Sequence, residues 1–159
     1  MQSIQTVSEN TIYVGASDRR LAKFENLFPI PRGVSYNAYV ILDEKTALLD
    51  TADASVGAQF LENVAAALDG RKLDYLIVDH MEPDHAAMIE AVLVRWPDLR
   101  LVVNAKTLPM LKMYYPADSA AIDDALVVKE GDTLDLGKHK LTFVMAPMVH
   151  WPEVMMTFD

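Results

Sequence analysis

The sequence predicts an α/β fold in which helices pack against a largely buried sheet. Three features support this prediction. Two hairpins fall within the first fifty residues, short apolar strands alternate with helices between residues 75 and 114, and strands return after residue 120. Such alternation is typical of βαβ units. The length of 159 residues suits one domain that buries most of its apolar surface.

The N-terminal hairpins are predicted from β-branched and aromatic runs on either side of short polar turns. Their four strands are Ile4–Val7, Thr11–Val14, Tyr36–Leu42 and Thr46–Asp50. Between the hairpins, the stretch up to Pro31 is less regular and holds Phe24, Leu27 and Phe28. We expect this stretch to be a short helix or a packed loop.

A helix follows the second hairpin. Ser55 is its candidate N-cap, and Asp69-Gly70 is a closing signal at its end. The alternating segment is then predicted to contain strands Tyr75–Val78 and Leu101–Val103 and helices Met88–Trp96 and Thr107–Tyr114. Three strands are predicted after it, Leu126–Val128, Thr133–Leu136 and Lys140–Met145.

The composition excludes several classes of function. With 14 Lys+Arg against 23 Asp+Glu, the net charge is −9, which argues against binding nucleic acid or anionic lipid. No apolar run approaches the roughly 20 residues of a spanning helix, and the N-terminus lacks a secretory signal, so we expect a cytoplasmic protein. The absence of cysteine excludes disulfides, iron–sulfur clusters and thiolate zinc sites.

The strongest chemical signal is a group of four side chains directly after a buried strand. His80, Glu82, Asp84 and His85 follow the strand that is predicted to end near Asp79. In open α/β sheets, ligand-binding groups collect at the carboxyl ends of the strands. Two carboxylates this close are costly unless a cation offsets their charge. Imidazole and carboxylate donors without sulfur suit iron, manganese or zinc and argue against copper(I).

Each of these residues also has a structural interpretation. His80 could be a hydrogen-bonded loop histidine, and Glu82 could be a solvated charge. Asp84 is placed to cap the helix predicted to begin near Ala86. For a single residue this interpretation is the better one, but the four together after a buried strand favour a metal site.

Two further histidines lie in the C-terminal part of the chain. His150 stands in a loop between Pro147 and Pro152, just past the strand that ends at Met145, so it could reach the same sheet edge. We interpret it as a further ligand, whereas His139 falls in a hairpin turn and is predicted to be exposed. The sequence has no glycine-rich phosphate loop and no G-x-S-x-G elbow.

The H-x-E-x-D-H pattern from His80 to His85, together with His150-Trp151-Pro152, resembles the flavodiiron proteins, which are also called A-type flavoproteins. The resemblance extends to residues 34–39, 48–51 and 157–158. It implies that residues 1–159 are the N-terminal portion of a metallo-β-lactamase-like αββα sandwich. The run Val154–Phe158 has strand composition without a closing turn, so we expect this domain to be truncated and the family's flavodoxin-like domain to be absent.

The resemblance also implies a ligand set. His80, Glu82 and His150 would hold one iron, and Asp84 and His85 would belong to a second. The family's bridging aspartate and a further histidine come after the position of His150. Hydrolytic members of the superfamily usually have histidine where this chain has Glu82.

The activity implied by the resemblance is reduction of dioxygen to water, of nitric oxide to nitrous oxide, or both. Electrons would come from flavin mononucleotide (FMN) in the flavodoxin-like domain, across a head-to-tail dimer, and from a donor such as a rubredoxin or a flavin reductase. A second polypeptide could complete the domain, and residues 1–159 alone are not expected to be competent. The alternatives are a metallohydrolase that uses a metal-bound hydroxide and an inactive, metal-free fragment.

Overall fold

The structure is a computed structural model that describes residues 3–24 and 26–159, apart from the side chains of residues 118 and 119. The strands are β1 (Gln5–Ser8), β2 (Thr11–Tyr13), β3 (Ala16–Asp18), β4 (Lys23–Phe24), β5 (Phe28–Pro29), β6 (Val34–Tyr36), β7 (Tyr39–Leu42), β8 (Thr46–Leu49), β9 (Tyr75–Ile77), β10 (Arg100–Asn104), β11 (Leu126–Val128), β12 (Thr133–Asp135), β13 (Lys140–Met145) and β14 (Met155–Phe158). The α-helices are α1 (Gly57–Leu68), α2 (Pro83–Ala86), α3 (Ile89–Arg95), α4 (Thr107–Tyr114) and α5 (Ser119–Asp123).

The main sheet has seven strands in the order β1-β2-β7-β8-β9-β10-β11. Its first half is antiparallel, with hairpins joining β1 to β2 and β7 to β8 and a longer connection leading from β2 to β7, whereas β8, β9, β10 and β11 run parallel. The parallel half comes from the alternating segment, whose helices supply the crossover connections. A second, antiparallel sheet has the order β12-β13-β14, and two small sheets pair β3 with β6 and β4 with β5.

Apolar side chains on opposite faces of the main sheet belong to two separate cores. One core joins the sheet to helices and includes Phe60, Val64, Ile89, Val40, Leu48, Leu76 and Leu101. The other joins it to the second sheet and includes Ile41, Ala47, Ile77, Val102, Leu141, Phe143 and Met155. Neighbouring residues of a strand face opposite sides, so each of these strands serves both cores. The described residues therefore form helix, sheet and sheet layers.

The predicted strand Tyr36–Leu42 is divided between β6, which ends at Tyr36, and β7, which begins at Tyr39. Three further local predictions are wrong. The stretch before Pro31 is neither a helix nor a packed loop, since it contains β3 and the short β4–β5 pair, and Leu27 and Phe28 are exposed. Ser55 does not cap the first helix. A 3₁₀ turn (Ala54–Val56) precedes α1, and the Asp53 carboxylate accepts the Ser55 backbone N–H at its start.

The third concerns Asp84, which is not a helix cap. A separate short helix, α2, begins at Pro83, so Glu82 occupies the N-cap position and Asp84 lies in the first turn. Closure of α1 is confirmed, because Asp69 is left-handed and Gly70 has a φ of +81°. None of the helices in the described ranges combines the length and apolar character needed to cross a membrane.

Candidate metal centre

The carboxyl ends of three parallel strands meet at one edge of the main sheet. Asp50 directly follows β8, Asp79 comes two residues after β9, and Asn104 ends β10. The second sheet is joined to this edge, because the Met155 N–H donates to the Asp79 carbonyl oxygen at 3.0 Å. The segment of residues 78–85, here called the cluster loop, leaves β9 at this edge and carries four of the predicted site residues.

Three of the predicted ligands converge. The Nε2 atoms of His80 and His150 each lie 3.0 Å from the same carboxylate oxygen, Oε2 of Glu82. Donor atoms of these three residues all lie within 4.8 Å of one another, which is close enough for one metal ion to bind them all. His150 thus reaches the sheet edge that the sequence predicted for it.

The three residues differ in their exposure to solvent. The side chains of His80 and Glu82 are only 8% and 7% exposed, whereas that of His150 is 68% exposed. His150 belongs to residues 146–154, here called the second loop, which connects β13 to β14. The Trp151 ring stands edge-on to His80, with ring centroids 5.2 Å apart. The candidate centre therefore has one buried side and one open side.

Asp84 and His85 lie beside the three converging residues but are not part of that group. His85 Nδ1 lies 2.8 Å from Asp50 Oδ2, and His85 Nε2 lies 3.6 Å from Asp84 Oδ2. The other oxygen of Asp84, Oδ1, is buried and has no hydrogen-bond partner among the residues that the structure describes. The His80 and His85 ring centroids are 5.2 Å apart, so a second cation at Asp84 and His85 would be a close neighbour of the first.

Burial and neighbouring charges shift the ionisation of this second pair. Burial raises the pKa of the Asp84 carboxyl; attraction to His85 opposes that shift, and repulsion from Glu82 adds to it. Burial disfavours the charged form of His85, but its hydrogen bond to Asp50 and the charges of Asp50 and Asp84 outweigh this and raise the pKa of His85 to about 9. Protonated His85 therefore supplies positive charge where a cation would lie.

Two residues that sequence reasoning did not assign to the site hold its histidines. Glu153 Oε1 lies 2.7 Å from His80 Nδ1, and Asp50 Oδ2 faces His85 Nδ1 in the same way. Both could have been found, since Glu153 comes three residues after His150 and Asp50 directly follows a buried strand. The sequence offered no sign of which histidine each carboxylate would meet.

His139 lies in the turn between β12 and β13 and is not exposed as predicted. Its side chain is half-buried because Nδ1 lies 2.7 Å from Asp159 Oδ2, and its backbone N–H donates to Asp43 Oδ2. Asp159 is thus occupied with His139.

Comparison with known proteins finds relatives along nearly the whole chain. Residues 34–159 match the family model described as ODP family beta lactamase. The nitric oxide reductase of Moorella thermoacetica is 37% identical over 154 residues, which cover 96% of this chain and 38% of that protein. The anaerobic nitric oxide reductase flavorubredoxin of Klebsiella pneumoniae is 35% identical, with 96% and 31% covered.

Solved structures agree with these matches. Rubredoxin oxygen:oxidoreductase from Desulfovibrio gigas aligns with a TM-score of 0.91 at 31% identity, over 98% of this chain and 38% of that one. The flavodiiron protein from Giardia intestinalis gives 0.90 at 27% identity, over 99% and 38%. The resemblance to flavodiiron proteins and the α/β, metallo-β-lactamase-like fold are therefore confirmed. The chain spans about a third to two-fifths of the length of these relatives.

Proposed function

This chain belongs to the ODP family of beta-lactamase-like domains, and from that premise we propose that it holds the iron of a flavodiiron reductase of dioxygen or nitric oxide. The relatives named above are nitric oxide reductases and a rubredoxin:oxygen oxidoreductase. Each is longer than this chain, so the activity of the whole protein is part of the proposal.

The convergence of His80 Nε2 and His150 Nε2 on one oxygen of Glu82 carries the proposal. Two imidazoles and a carboxylate from separate parts of the chain offer their donor atoms to a common point. In the protein without metal, Nε2–H groups of the two histidines would donate hydrogen bonds to the Glu82 carboxylate. A cation would replace these protons and bind the three lone pairs instead.

The fit of a second cation is supported by Asp84. Its Oδ1 atom is buried without a hydrogen-bond partner in the described part of the chain, and an ionised oxygen in that state is costly unless positive charge is nearby. We assign Asp84 and His85 to this second position, with His85 Nε2 as the donor atom because its Nδ1 faces Asp50.

Iron is favoured over zinc by the donor set. Glu82 contributes an anionic oxygen where hydrolytic members of the superfamily usually have a neutral imidazole, and added negative charge stabilises ferric iron. Two adjacent ferrous ions would supply electrons together to a diatomic gas.

The protein surroundings of the centre suit a small gas. Buried Met81 and the Trp151 ring limit water on the inner side, while the exposed His150 leaves the outer side open. A diatomic molecule needs little room and no charged anchor. The open side at the exposed His150 offers such a molecule an approach to the centre.

Electrons would reach the iron from FMN in a flavodoxin-like domain of the whole protein, across a head-to-tail dimer or an equivalent second polypeptide. A rubredoxin or a flavin reductase would supply that flavin. The names of two relatives support this part of the proposal, since one is a flavorubredoxin and another a rubredoxin:oxygen oxidoreductase.

Metal selection tests the proposal. The full-length protein, produced with iron and zinc both supplied, should contain iron, measured by plasma mass spectrometry, and Glu82→His should shift its content toward zinc because the variant restores the hydrolase-like donor set. Glu62→His is the matched control, since Glu62 is an exposed residue of α1. Stoichiometric zinc with hydrolase activity, and no consumption of dioxygen or nitric oxide, would contradict the proposal.

A second measurement tests the assignment of ligands. The 159-residue chain, given ferrous iron and an artificial reductant, should bind at most one metal ion well and should not sustain gas consumption. The reason is that the described residues bring together one complete group of three donors, while Asp84 and His85 supply only part of another. Sustained turnover would mean that the assigned ligand set is wrong.

A further inference from the structure

The Glu153 side chain is buried against the ring of His80. Its Oε1 atom lies 2.7 Å from His80 Nδ1 and accepts the Met81 backbone N–H at 3.1 Å, and the residue is only 1% exposed. We propose that Glu153 is a positioning residue that keeps the proton of His80 on Nδ1, so that Nε2 is presented to the metal. This inference rests on the proposed function, because it concerns the same centre.

A histidine needs such a partner in order to be a well-defined ligand. Neutral imidazole carries its proton on either nitrogen, and the ring can rotate about its side-chain bonds. A carboxylate at Nδ1 fixes both the tautomer and the ring direction, and it makes Nε2 a stronger donor to a metal. The geometry at His80 meets this requirement, because Nδ1 faces Glu153 while Nε2 faces Glu82.

Glu153 is itself held in place from the main sheet. Its carbonyl oxygen accepts a hydrogen bond from Asn104 Nδ2 at 2.5 Å. The Asn104 side-chain oxygen accepts the backbone N–H groups of Lys106 and Thr107, where α4 begins. The end of β10 therefore fixes the backbone that carries Glu153, so its carboxylate is set by the fold and not by loop packing alone.

The remaining oxygen of Glu153 adds a further argument. Oε2 is buried and, within the described ranges, has no hydrogen-bond partner. A buried carboxylate with one unpaired oxygen destabilises the fold relative to an apolar side chain of similar size, so support of the loop alone does not explain a glutamate here. The cost is offset if His80 shares the positive charge of a bound cation, because its Nδ1–H then becomes a stronger donor.

Nuclear magnetic resonance of the zinc-loaded protein tests the assignment without reference to catalysis. Zinc is the probe because it is diamagnetic and accepts imidazole and carboxylate donors. With ¹⁵N-labelled histidine, the long-range ¹H–¹⁵N spectrum should show His80 bound through Nε2 and a slowly exchanging proton on Nδ1. In Glu153→Leu that slow exchange should be lost, and the zinc dissociation constant should rise about 10- to 100-fold.

Two more variants complete the design. Glu153→Gln keeps an acceptor oxygen but removes the charge, so it should show faster Nδ1 proton exchange and a smaller rise in the dissociation constant. If Glu153→Leu does not fold, Glu153→Gln still tests whether Glu153 holds the Nδ1 proton of His80. Asp159→Asn is the matched control, because Asp159 holds His139 Nδ1 at the same 2.7 Å away from the centre. It should leave zinc binding and the His80 signal unchanged.

The inference is overturned if the Nδ1 proton of His80 exchanges at the wild-type rate in the Glu153 variants. It is also overturned if these variants lower only the unfolding midpoint of metal-free protein while zinc affinity is unchanged. Failure of the proposed function is a separate result. If the full-length protein prefers zinc and consumes no gas but shows the expected His80 signal, the proposed iron reductase is wrong and the role of Glu153 still stands.

Discussion

The two loops that supply the candidate ligands differ in how firmly the protein holds them. The cluster loop (residues 78–85) is largely buried, and the Nδ1 atom of each of its histidines faces a carboxylate. The second loop (residues 146–154) exposes Met148, Val149 and His150, and in the described part of the chain no hydrogen bond reaches His150 Nδ1. Both loops nevertheless bring an imidazole Nε2 to 3.0 Å from the same oxygen of Glu82.

The difference shows that equivalent donor atoms can have unequal roles in the fold. His80 lies between two buried carboxylates, Glu82 and Glu153, so it contributes to the folded state even without metal. We expect His150 to contribute mainly when a metal is present, because solvent can replace its contact with Glu82. Variants of the two histidines should therefore separate folding stability from metal affinity.

The largest expected effect is on the stability of metal-free protein. His80→Ala removes the buried imidazole between Glu82 and Glu153, which leaves them only the exposed His150 and the Met81 N–H, and should lower the free energy of unfolding by about 3 to 5 kcal/mol. His150→Ala changes an exposed side chain and should cost within about 0.5 kcal/mol. Urea unfolding in the presence of a chelator measures both. Equal losses would contradict the difference between the two loops.

The next effect is the stabilisation that metal provides. A metal that binds only the folded state adds about 2.7 kcal/mol at a hundredfold excess over its dissociation constant. Chelation should therefore lower the thermal unfolding midpoint of the wild-type protein. His150→Ala should lose this metal-dependent part while keeping the midpoint of metal-free protein. If confirmed metal removal leaves the wild-type midpoint unchanged, these residues are not ligands.

A pH-dependent effect should come from Asp79, at the start of the cluster loop. Burial, with repulsion from Asp50, raises the pKa of Asp79 from 3.8 to about 8, against the hydrogen bonds from Thr157. The folded chain thus binds this proton more tightly than the unfolded chain does. The stabilisation from this group is complete below about pH 3.8 and is lost as the pH rises toward 8. Asp79→Asn should make the unfolding free energy of chelator-treated protein less dependent on pH over this range.

Asp18 provides the control for that measurement, because its shift has the opposite sign. Hydrogen bonds and charge from Arg20 lower the pKa of Asp18 to about 2. Its stabilisation is therefore complete above 3.8 and is lost only as the pH falls toward 2. Asp18→Asn should keep the wild-type slope between about pH 5 and pH 8. A slope that Asp79→Asn leaves unchanged would show that Asp79 does not cause it.

The smallest effect is expected at the exposed tip of the second loop. Met148→Ala removes a side chain that is 71% exposed and should change the unfolding free energy by no more than about 0.5 kcal/mol. Urea unfolding of the metal-free variant measures this. A larger loss would mean that the tip of the second loop is packed, and the contrast with the cluster loop would then be weaker.

The sequence by itself determined the regular elements and the types of donor. Periodicity and flanking prolines predicted α4 at Thr107–Tyr114, and strand composition predicted β11 and β13, all with the observed bounds. The four candidate donors of the cluster loop could be proposed from the sequence, because they are neighbours in the chain. These features depend on short-range patterns, which the sequence carries directly.

Only the tertiary structure decided which distant residues meet. Glu153 lies 73 residues from His80, and Asp50 lies 35 residues from His85, so strand order and loop paths set both contacts. The short β4–β5 pair and the 3₁₀ turn before α1 are local features that the sequence pattern also did not predict. A carboxylate can hold a histidine from any element that reaches it, and the sequence does not record which one will, because those distances arise only when the sheets pack.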